Sequence, residues 1–247
     1  MPDRESVPRG PVWVILPTYN EADNVGPMVE ALGPKLDERD RILIVDDNSP
    51  DGTGRIADRL AAGNSSVEVL HRPEKEGIGP AYLAGFRRAL EEDAGLIVQM
   101  DADFSHDPAY LPRLLAASEL ADLVIGSRYV PGGGITEWGR TRRLLSRGGS
   151  LYARKLLGVP VRDLTGGFKC FRREVLETID LERVAASGYS FQVEMTYRVL
   201  EAGFEVIEVP ITFRERRIGD SKMSTAIVAE AAWRVPAMRF ARRASRG

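Results

Sequence analysis

The stretch GLIVQMDADFSHDP (95–108) joins a continuous apolar run to a polar turn that holds two aspartates one residue apart. A run of this kind, without polar alternation, suits a strand covered on both faces, as strands of a parallel sheet are. Outward from it the same unit recurs: VWVIL (12–16) precedes PTYNEADN, ILIVD (42–46) precedes DNSPDGTG, VEVLH (67–71) precedes RPEKEGIG, and DLVIGS (122–127) precedes RYVPGGG. Between these strands, 24–36, 53–62, 80–92 and 108–118 carry apolar residues at three-to-four spacing, which predicts helices packed on a sheet. The alternation is that of βαβ units, so the expected fold class is α/β, with a mostly parallel central sheet flanked by helices. Ligands of such sheets lie outside the carboxyl ends of the strands, and there this sequence is acidic and Gly-rich.

The remaining composition is that of an ordinary globular chain: 247 residues, 43% hydrophobic and 28% charged. A chain of this size buries about 70–75% of its unfolded surface and needs neither disulfides nor structural metal. Cys170 is the single cysteine, and with only His71 and His106 beside it a Cys/His zinc cluster is excluded. The opening MPDRESVPRG has no apolar core, and no long uncharged apolar run follows, so neither a secretory signal nor a membrane span is expected. A reducing, cytosolic setting is the simplest expectation.

Charge is unevenly distributed. Residues 1–130 carry 13 basic and 23 acidic side chains, net −10, and residues 131–247 carry 21 and 13, net +8. The stretch 138–155 contains Arg140, Arg142, Arg143, Arg147, Arg154 and Lys155 with no acid. Such asymmetry suits a second half that meets phosphate or an anionic surface, although a solvated basic face would look the same. After Pro131 the pattern predicts a basic helix near 142–157, a helix at 190–202 and a strand at 204–213. The last stretch, 223–243, is amphipathic, and suits either a membrane-surface helix or one packed on the core.

Asp101 and Asp103 would crowd two carboxylates into an exposed cleft. Like charges this close are costly unless a cation sits between them, and hard oxygen donors select Mg²⁺ or Mn²⁺. Mg²⁺ is commonly completed by substrate phosphates, so the pair points to a diphosphate ligand. Asp46 and Asp47 form a second acidic pair at the same edge, suited to ribose hydroxyls or a base edge, while Asp51 and Thr53 fit turn formation and helix capping. PTYNE after the first strand adds an aromatic face and another carboxylate. The chain lacks the Gly-rich phosphate cradles of dinucleotide-binding and P-loop proteins, and it lacks a G-x-S-x-G elbow or a Cys/His dyad. His71 and His106 fit local loop roles better than that of an essential base.

Taken together, LPTYNEADNV, ILIVDDNSPDGT, EGIGPAYLAGF, MDADFSHDP, VIGSRYVPGGG, LSRGGSLYARKLLG, DLTGGFKCFRREVL, GYSFQVEM and FRERRIGDSKMS resemble glycosyltransferase family 2, and within it the dolichol- or polyprenol-phosphate mannose synthases. The resemblance spans about residues 12–225 and implies a GT-A fold. It places Pro17, Tyr19, Glu21, Val45 and Asp47 on the nucleotide of GDP-mannose, and Asp101, Ala102 and Asp103 on the donor and its Mg²⁺ or Mn²⁺. Ser105 stands where many relatives have a metal-facing Gln. Arg128, Arg142 and Ser146 match positions at the acceptor phosphate, and Arg216 and Lys222 a basic pair closing over the phosphates. Asp101, Asp103, Arg128 and Arg216 are thereby the residues expected to carry the chemistry. Gly166 stands where the family often has Ser.

The implied division is a flexible amino terminus over 1–11, one catalytic domain over 12–222 and an amphipathic basic helix over 223–247. Within the domain, 12–130 would bind the nucleotide sugar and 131–222 the acceptor. A phosphate monoester acceptor suits a site with no evident base, because its second pKa is near 6 and it is largely dianionic at pH 7. The implied reaction is metal-dependent, inverting transfer of mannose from GDP-mannose to a polyprenyl phosphate. The implied partners are those two substrates and a membrane surface, met peripherally at its cytoplasmic face or through a separate membrane-anchoring protein, with no nucleic acid. Three alternatives stand beside it: a family 2 transferase using UDP-glucose or UDP-GlcNAc, a sugar-1-phosphate nucleotidylyltransferase, and a non-catalytic binding module.

Overall fold

The computed structural model describes residues 10–137, 139–184, 188–214, 235–236 and 239. Strands β1 (Val12–Thr18), β2 (Arg41–Asp46), β3 (Val67–His71), β4 (Leu96–Gln99) and β5 (Leu123–Ser127) alternate with helices α1 (Ala22–Leu32), α2 (Thr53–Gly63), α3 (Ile78–Glu91) and α4 (Leu111–Ala117). The chain continues through β6 (Gly134–Ile135), α5 (Arg140–Leu157), β7 (Lys169–Arg172), α6 (Arg173–Thr178), α7 (Gly188–Glu201), β8 (Val206–Pro210) and β9 (Thr212–Phe213). Seven strands form one sheet in the order β3-β2-β1-β4-β7-β5-β8, and β6 and β9 form a small second sheet. All pairings in the large sheet are parallel except those of β7, which runs antiparallel between β4 and β5.

Strand periodicity sorts the core into two layers. Along β1, Val12, Val14 and Leu16 join Val25 and Met28 of α1 and Leu114 of α4 on one face. Trp13 and Ile15 join Tyr82 and Phe86 of α3 and Phe191 of α7 on the other. Because both faces are covered, the strands read as unbroken apolar runs. Helix α3 lies directly on β1 at Gly85, where a Cβ would stand 2.4 Å from Ile15 Cγ2, so only glycine permits this approach.

Among the described residues the expected strands and helices are present, with shifted ends. The helix expected at 24–36 begins at Ala22 and closes in a 3-10 turn over Gly33–Lys35, and that expected at 108–118 is a 3-10 turn followed by α4. The strand expected over 204–213 is divided. Ile211 donates its N–H to the Ser127 carbonyl and accepts from Gly134, so the chain passes there from the large sheet to the small one. Neither β7 nor α6 was foreseen, since four residues, KCFR, carry too little periodicity to mark a strand.

Lys169 sits fully buried in β7. Its Nζ donates to the Gln192 carbonyl at 2.8 Å and to Gln192 Oε1 at 3.0 Å. Gln99 Nε2 in turn donates to Gln192 Oε1 and to the Gly167 carbonyl. Burial pushes the Lys169 ammonium down to about 7, with Asp163 opposing the shift. Between that value and the ordinary 10.5, the unfolded chain holds a proton on this lysine that the folded chain does not. Folding stability contributed by this group therefore rises with pH above about 7 and is lost as pH falls through it. Urea unfolding from pH ~7 to ~9.5 should show that rise, and Lys169→Met should flatten it; a wild-type profile as flat as the variant's would contradict a depressed lysine.

Candidate active site

Parallel β1, β2, β4 and β5 deliver their carboxyl ends to one edge of the sheet, and β1 and β4 flank the point where strand order reverses. That is the usual ligand crevice of an open α/β sheet. Because β7 is antiparallel, its leading loop Thr165–Phe168 arrives at the same edge, as does the exit of β8.

On the β1–β2 side the two loops are tied together. Asn20 N–H donates to Ser49 Oγ, Glu21 N–H to Thr53 Oγ1 and Ala22 N–H to Asp51 Oδ2. Asp51 also accepts from the Thr53 N–H and hydroxyl, as its capping role requires, and these bonds outweigh burial to hold its carboxyl below the usual range. Asp46 departs from the expected ligand role. Its carboxylate accepts from the Thr18 hydroxyl, the Ser49 hydroxyl at 2.6 Å and the Ser49 N–H, which makes it the anchor of the turn.

Asp47 is placed differently from its neighbour. Arg72, just past β3, donates to Asp47 Oδ1 at 2.6 Å and also reaches Glu76. Burial raises the Asp47 carboxyl and Arg72 opposes it. Tyr19 presents its ring to Lys75, whose Nζ lies 3.8 Å from the ring centroid. Glu21 Oε2 accepts from Asn24. Pro17 is half-buried on β1 opposite Val45. Val45 itself is fully buried in the layer containing Trp13 and Ile15, so neither its side chain nor its backbone is exposed at the edge where the resemblance placed it on the nucleotide.

Asp101, Ala102 and Asp103 follow the end of β4. The Tyr82 hydroxyl donates to Asp101 Oδ1 at 2.7 Å, and burial followed by the Asp101 charge keeps that phenol protonated well above its ordinary range. Asp103 Oδ1 accepts from the Ser105 N–H, which orients the second carboxylate and uses the backbone of Ser105. Burial lowers the His106 imidazole, with Asp101 and Asp103 opposing. Among the described residues no three His, Cys, Asp or Glu side chains converge as a metal cage. The donor set at Asp101 and Asp103 is nonetheless hard oxygen, which fits a Mg²⁺ or Mn²⁺ completed by phosphate oxygens and water.

Beyond β5, Arg128 is 4% exposed and forms a buried fork on Asp163, with Nε at 2.8 Å and an NH2 contact at 2.6 Å. The same terminal nitrogen reaches Thr165 Oγ1, and the backbone N–H of Arg128 also donates to Asp163. Arg128 outweighs burial and holds the Asp163 carboxyl below the usual range. Much of the guanidinium is thus engaged within the protein, where sequence reading placed it on an acceptor phosphate. It lies against the rings of Tyr129 and Phe213. The Tyr129 hydroxyl donates to Ser146 Oγ at 2.6 Å, which ties Ser146 of α5 to the residue that follows Arg128, and Arg142 stands one turn earlier on that helix. Arg216 and Lys222 lie outside the described residues, as does nearly all of 223–243.

Several members of this edge were missed in sequence: Arg72, Lys75, Tyr82, Tyr129 and Asp163. Each pairs with a residue far away in the chain, so no local spacing marks it. Tyr82, Tyr129 and Asp163 nonetheless sit inside the quoted motifs EGIGPAYLAGF, VIGSRYVPGGG and DLTGGFKCFRREVL.

A family model described as "Glycosyl transferase family 2" matches residues 13–180. The chain is 50% identical over 220 residues to an undecaprenyl-phosphate mannosyltransferase of Micrococcus luteus, covering 89% of this chain and 90% of that one. It is 50% identical over 224 residues to a polyprenol monophosphomannose synthase of Mycolicibacterium smegmatis, covering 90% and 84%. Among solved structures, glucosyl-3-phosphoglycerate synthase from Mycobacterium tuberculosis, in complex with Mn²⁺, uridine diphosphate and phosphoglyceric acid, superposes with a TM-score of 0.67 at 21% identity, covering 92% of this chain and 78% of that one. Likeness at that identity concerns the fold, which is GT-A-like.

Asp163→Ala would leave the buried Arg128 guanidinium without its carboxylate and should cost about 3–5 kcal/mol of folding stability in urea unfolding. The double variant Arg128→Met, Asp163→Leu should cost less than that single change; additive losses would mean that the pair is not coupled.

Proposed function

The chain belongs to glycosyltransferase family 2, a mannosyltransferase by its relatives, and from that premise we propose that it moves mannose from GDP-mannose to a polyprenyl phosphate. The observation that carries the donor side is the carboxylate pair Asp101 and Asp103 at the strand-order reversal, with Tyr82 fixing one of them. The mannose and the lipid phosphate are taken from what the two half-identical relatives are named for. The base is argued from Asp47. Arg72 occupies Asp47 Oδ1 at 2.6 Å, so Oδ2 is the oxygen assigned to accept an N–H of the guanine edge.

In the proposed reaction an oxygen of the acceptor phosphate forms a bond to the anomeric carbon as the bond from that carbon to the diphosphate breaks. GDP leaves and the sugar centre is inverted. No base is required, because the phosphate is already largely dianionic at pH 7. What the chain must supply is positioning and charge neutralisation between two anionic groups. A divalent cation held by Asp101 and Asp103, and near Ser105, would neutralise charge on the leaving diphosphate; Mn²⁺ and Mg²⁺ accompany UDP in solved structures of the distant fold relative. Pro17, Tyr19, Glu21 and Asp47 are assigned to the nucleotide, with buried Val45 supporting them from within β2. Arg142 and Ser146 are assigned to the acceptor phosphate, and Arg128 acts beside them from its fork on Asp163. Arg216 and Lys222 are assigned to the diphosphate.

A polyprenyl tail stays in lipid, and among the described residues no helix is long and apolar enough to cross a membrane. Helix α5 offers a surface contact instead. Leu144, Leu145, Leu151 and Tyr152 are exposed by 73%, 52%, 48% and 43% on adjoining positions of the helix. Exposed Arg143, Arg147 and Lys155 flank them. An apolar stripe edged with cations matches an anionic lipid surface, into which such a helix lies sideways. Val235 is buried in the same core layer as Ala153 and Leu157 of α5, so this residue of the amphipathic 223–243 stretch faces protein.

Transfer of labelled mannose from GDP-mannose to a polyprenyl phosphate in detergent, with Mg²⁺ and with EDTA, tests the reaction. A metal-requiring, acid-labile lipid product is expected, and Asp103→Ala should abolish it without loss of fold. Product from UDP-glucose but none from GDP-mannose would overturn the donor. Separately, Leu144→Ser with Leu151→Ser should weaken binding to phosphatidylglycerol vesicles at least about tenfold at unchanged Tm. Equal binding would remove α5 from the membrane contact.

A further inference from the structure

His106 is one of two histidines in the chain, and its sequence context alone suits a local loop role. It is 2% exposed and lies beneath the carboxylate loop. The sheet ladder ends where the Met100 N–H donates to the Ile15 carbonyl, so the next amide, that of Asp101, has no strand partner. The chain then turns through Phe104 in the left-handed region, φ 61°, and returns so that His106 Nδ1 accepts the Asp101 N–H at 3.2 Å.

Three contacts hold the ring in that pose. Phe168 lies 5.4 Å away between centroids, and Phe213 meets the ring edge-on at 5.5 Å and 77°. Gly167 closes the third side, where a Cβ would stand 3.0 Å from His106 Cε1. The second glycine of TGGF therefore makes room for the imidazole. The loop is fastened again where Arg214 N–H donates to the Ser105 carbonyl. An acceptor nitrogen so fixed, one residue beyond the end of the sheet, determines the direction in which the Asp101 carboxylate leaves β4.

We propose that His106 is a positioning residue for Asp101: its Nδ1 replaces the missing strand partner of the Asp101 amide and thereby sets the first carboxylate of the donor site. What Asp101 then binds rests on the function proposed above, while the positioning contact stands on its own geometry. An amide oxygen of asparagine lies the same number of bonds from Cβ as Nδ1 and can accept the same N–H; leucine cannot.

The test compares wild type, His106→Asn and His106→Leu. Mn²⁺ affinity in the presence of GDP, read by electron paramagnetic resonance, should fall about 10–100-fold in His106→Leu, the usual effect of losing a group that orients a metal ligand. The kcat for mannose transfer should fall about 100-fold with KM for polyprenyl phosphate unchanged. His106→Asn should restore both to within a few-fold of wild type. Failure of His106→Asn to recover, or an unimpaired His106→Leu, would overturn the proposal. If wild type neither binds Mn²⁺ nor uses GDP-mannose, the donor assignment fails, and amide exchange still decides the positioning. The Asp101 N–H should exchange slowly in wild type and His106→Asn and fast in His106→Leu, and equal rates in all three would refute it. Should His106→Leu not fold, nitrogen-15 spectra of wild-type His106 suffice: a proton on Nδ1 would exclude an acceptor role, and a bare Nδ1 is expected.

Discussion

The antiparallel seat of β7 between β4 and β5 is the constraint on which the rest of the site depends. Reversing one strand brings Thr165–Phe168 to the edge where β1, β2, β4 and β5 end. With that loop come Asp163, which accepts the Arg128 fork, Gly167, which makes space for His106, and Phe168, which packs the imidazole. A wholly parallel arrangement would carry this loop to the opposite edge.

Holding such a strand in place requires an unusual interior. Lys169 and Gln99, neighbours across the β4–β7 pair, face a helix through Gln192 instead of presenting apolar side chains. Burying an ammonium is costly, and the two contacts to Gln192 offset only part of that cost, as the Lys169 pKa lowered to about 7 shows. The same Gln99 nitrogen donates to Gly167, so the polar seam in the sheet and the floor of the site share one network.

The charge asymmetry of the chain acquires a location in this geometry. The acidic first half ends in Asp47, Asp101 and Asp103 on one side of the crevice, and the basic second half supplies α5 on the other. Neutralisation is built in on both sides. Arg72 meets Asp47, and Asp163 meets Arg128, so buried charges are paired within the protein before a ligand arrives.

Much of this was legible in the sequence. Continuous apolar runs closed by polar turns determined the α/β class and the ligand edge, because a strand covered on both faces is built mostly from apolar residues. The same logic made Asp101 and Asp103 conspicuous, since adjoining carboxylates at such an edge have no role in packing. Tertiary structure alone decided which neighbouring acid stayed a ligand candidate. Asp46 and Asp47 are adjacent in sequence, yet one turns into its own loop to meet Ser49 while the other meets Arg72, 25 residues away. It also decided that Arg128 lies in a buried fork, that β7 exists, and that His106 stands under Asp101. These depend on contacts between distant segments, and local periodicity carries no record of a partner that only folding brings near.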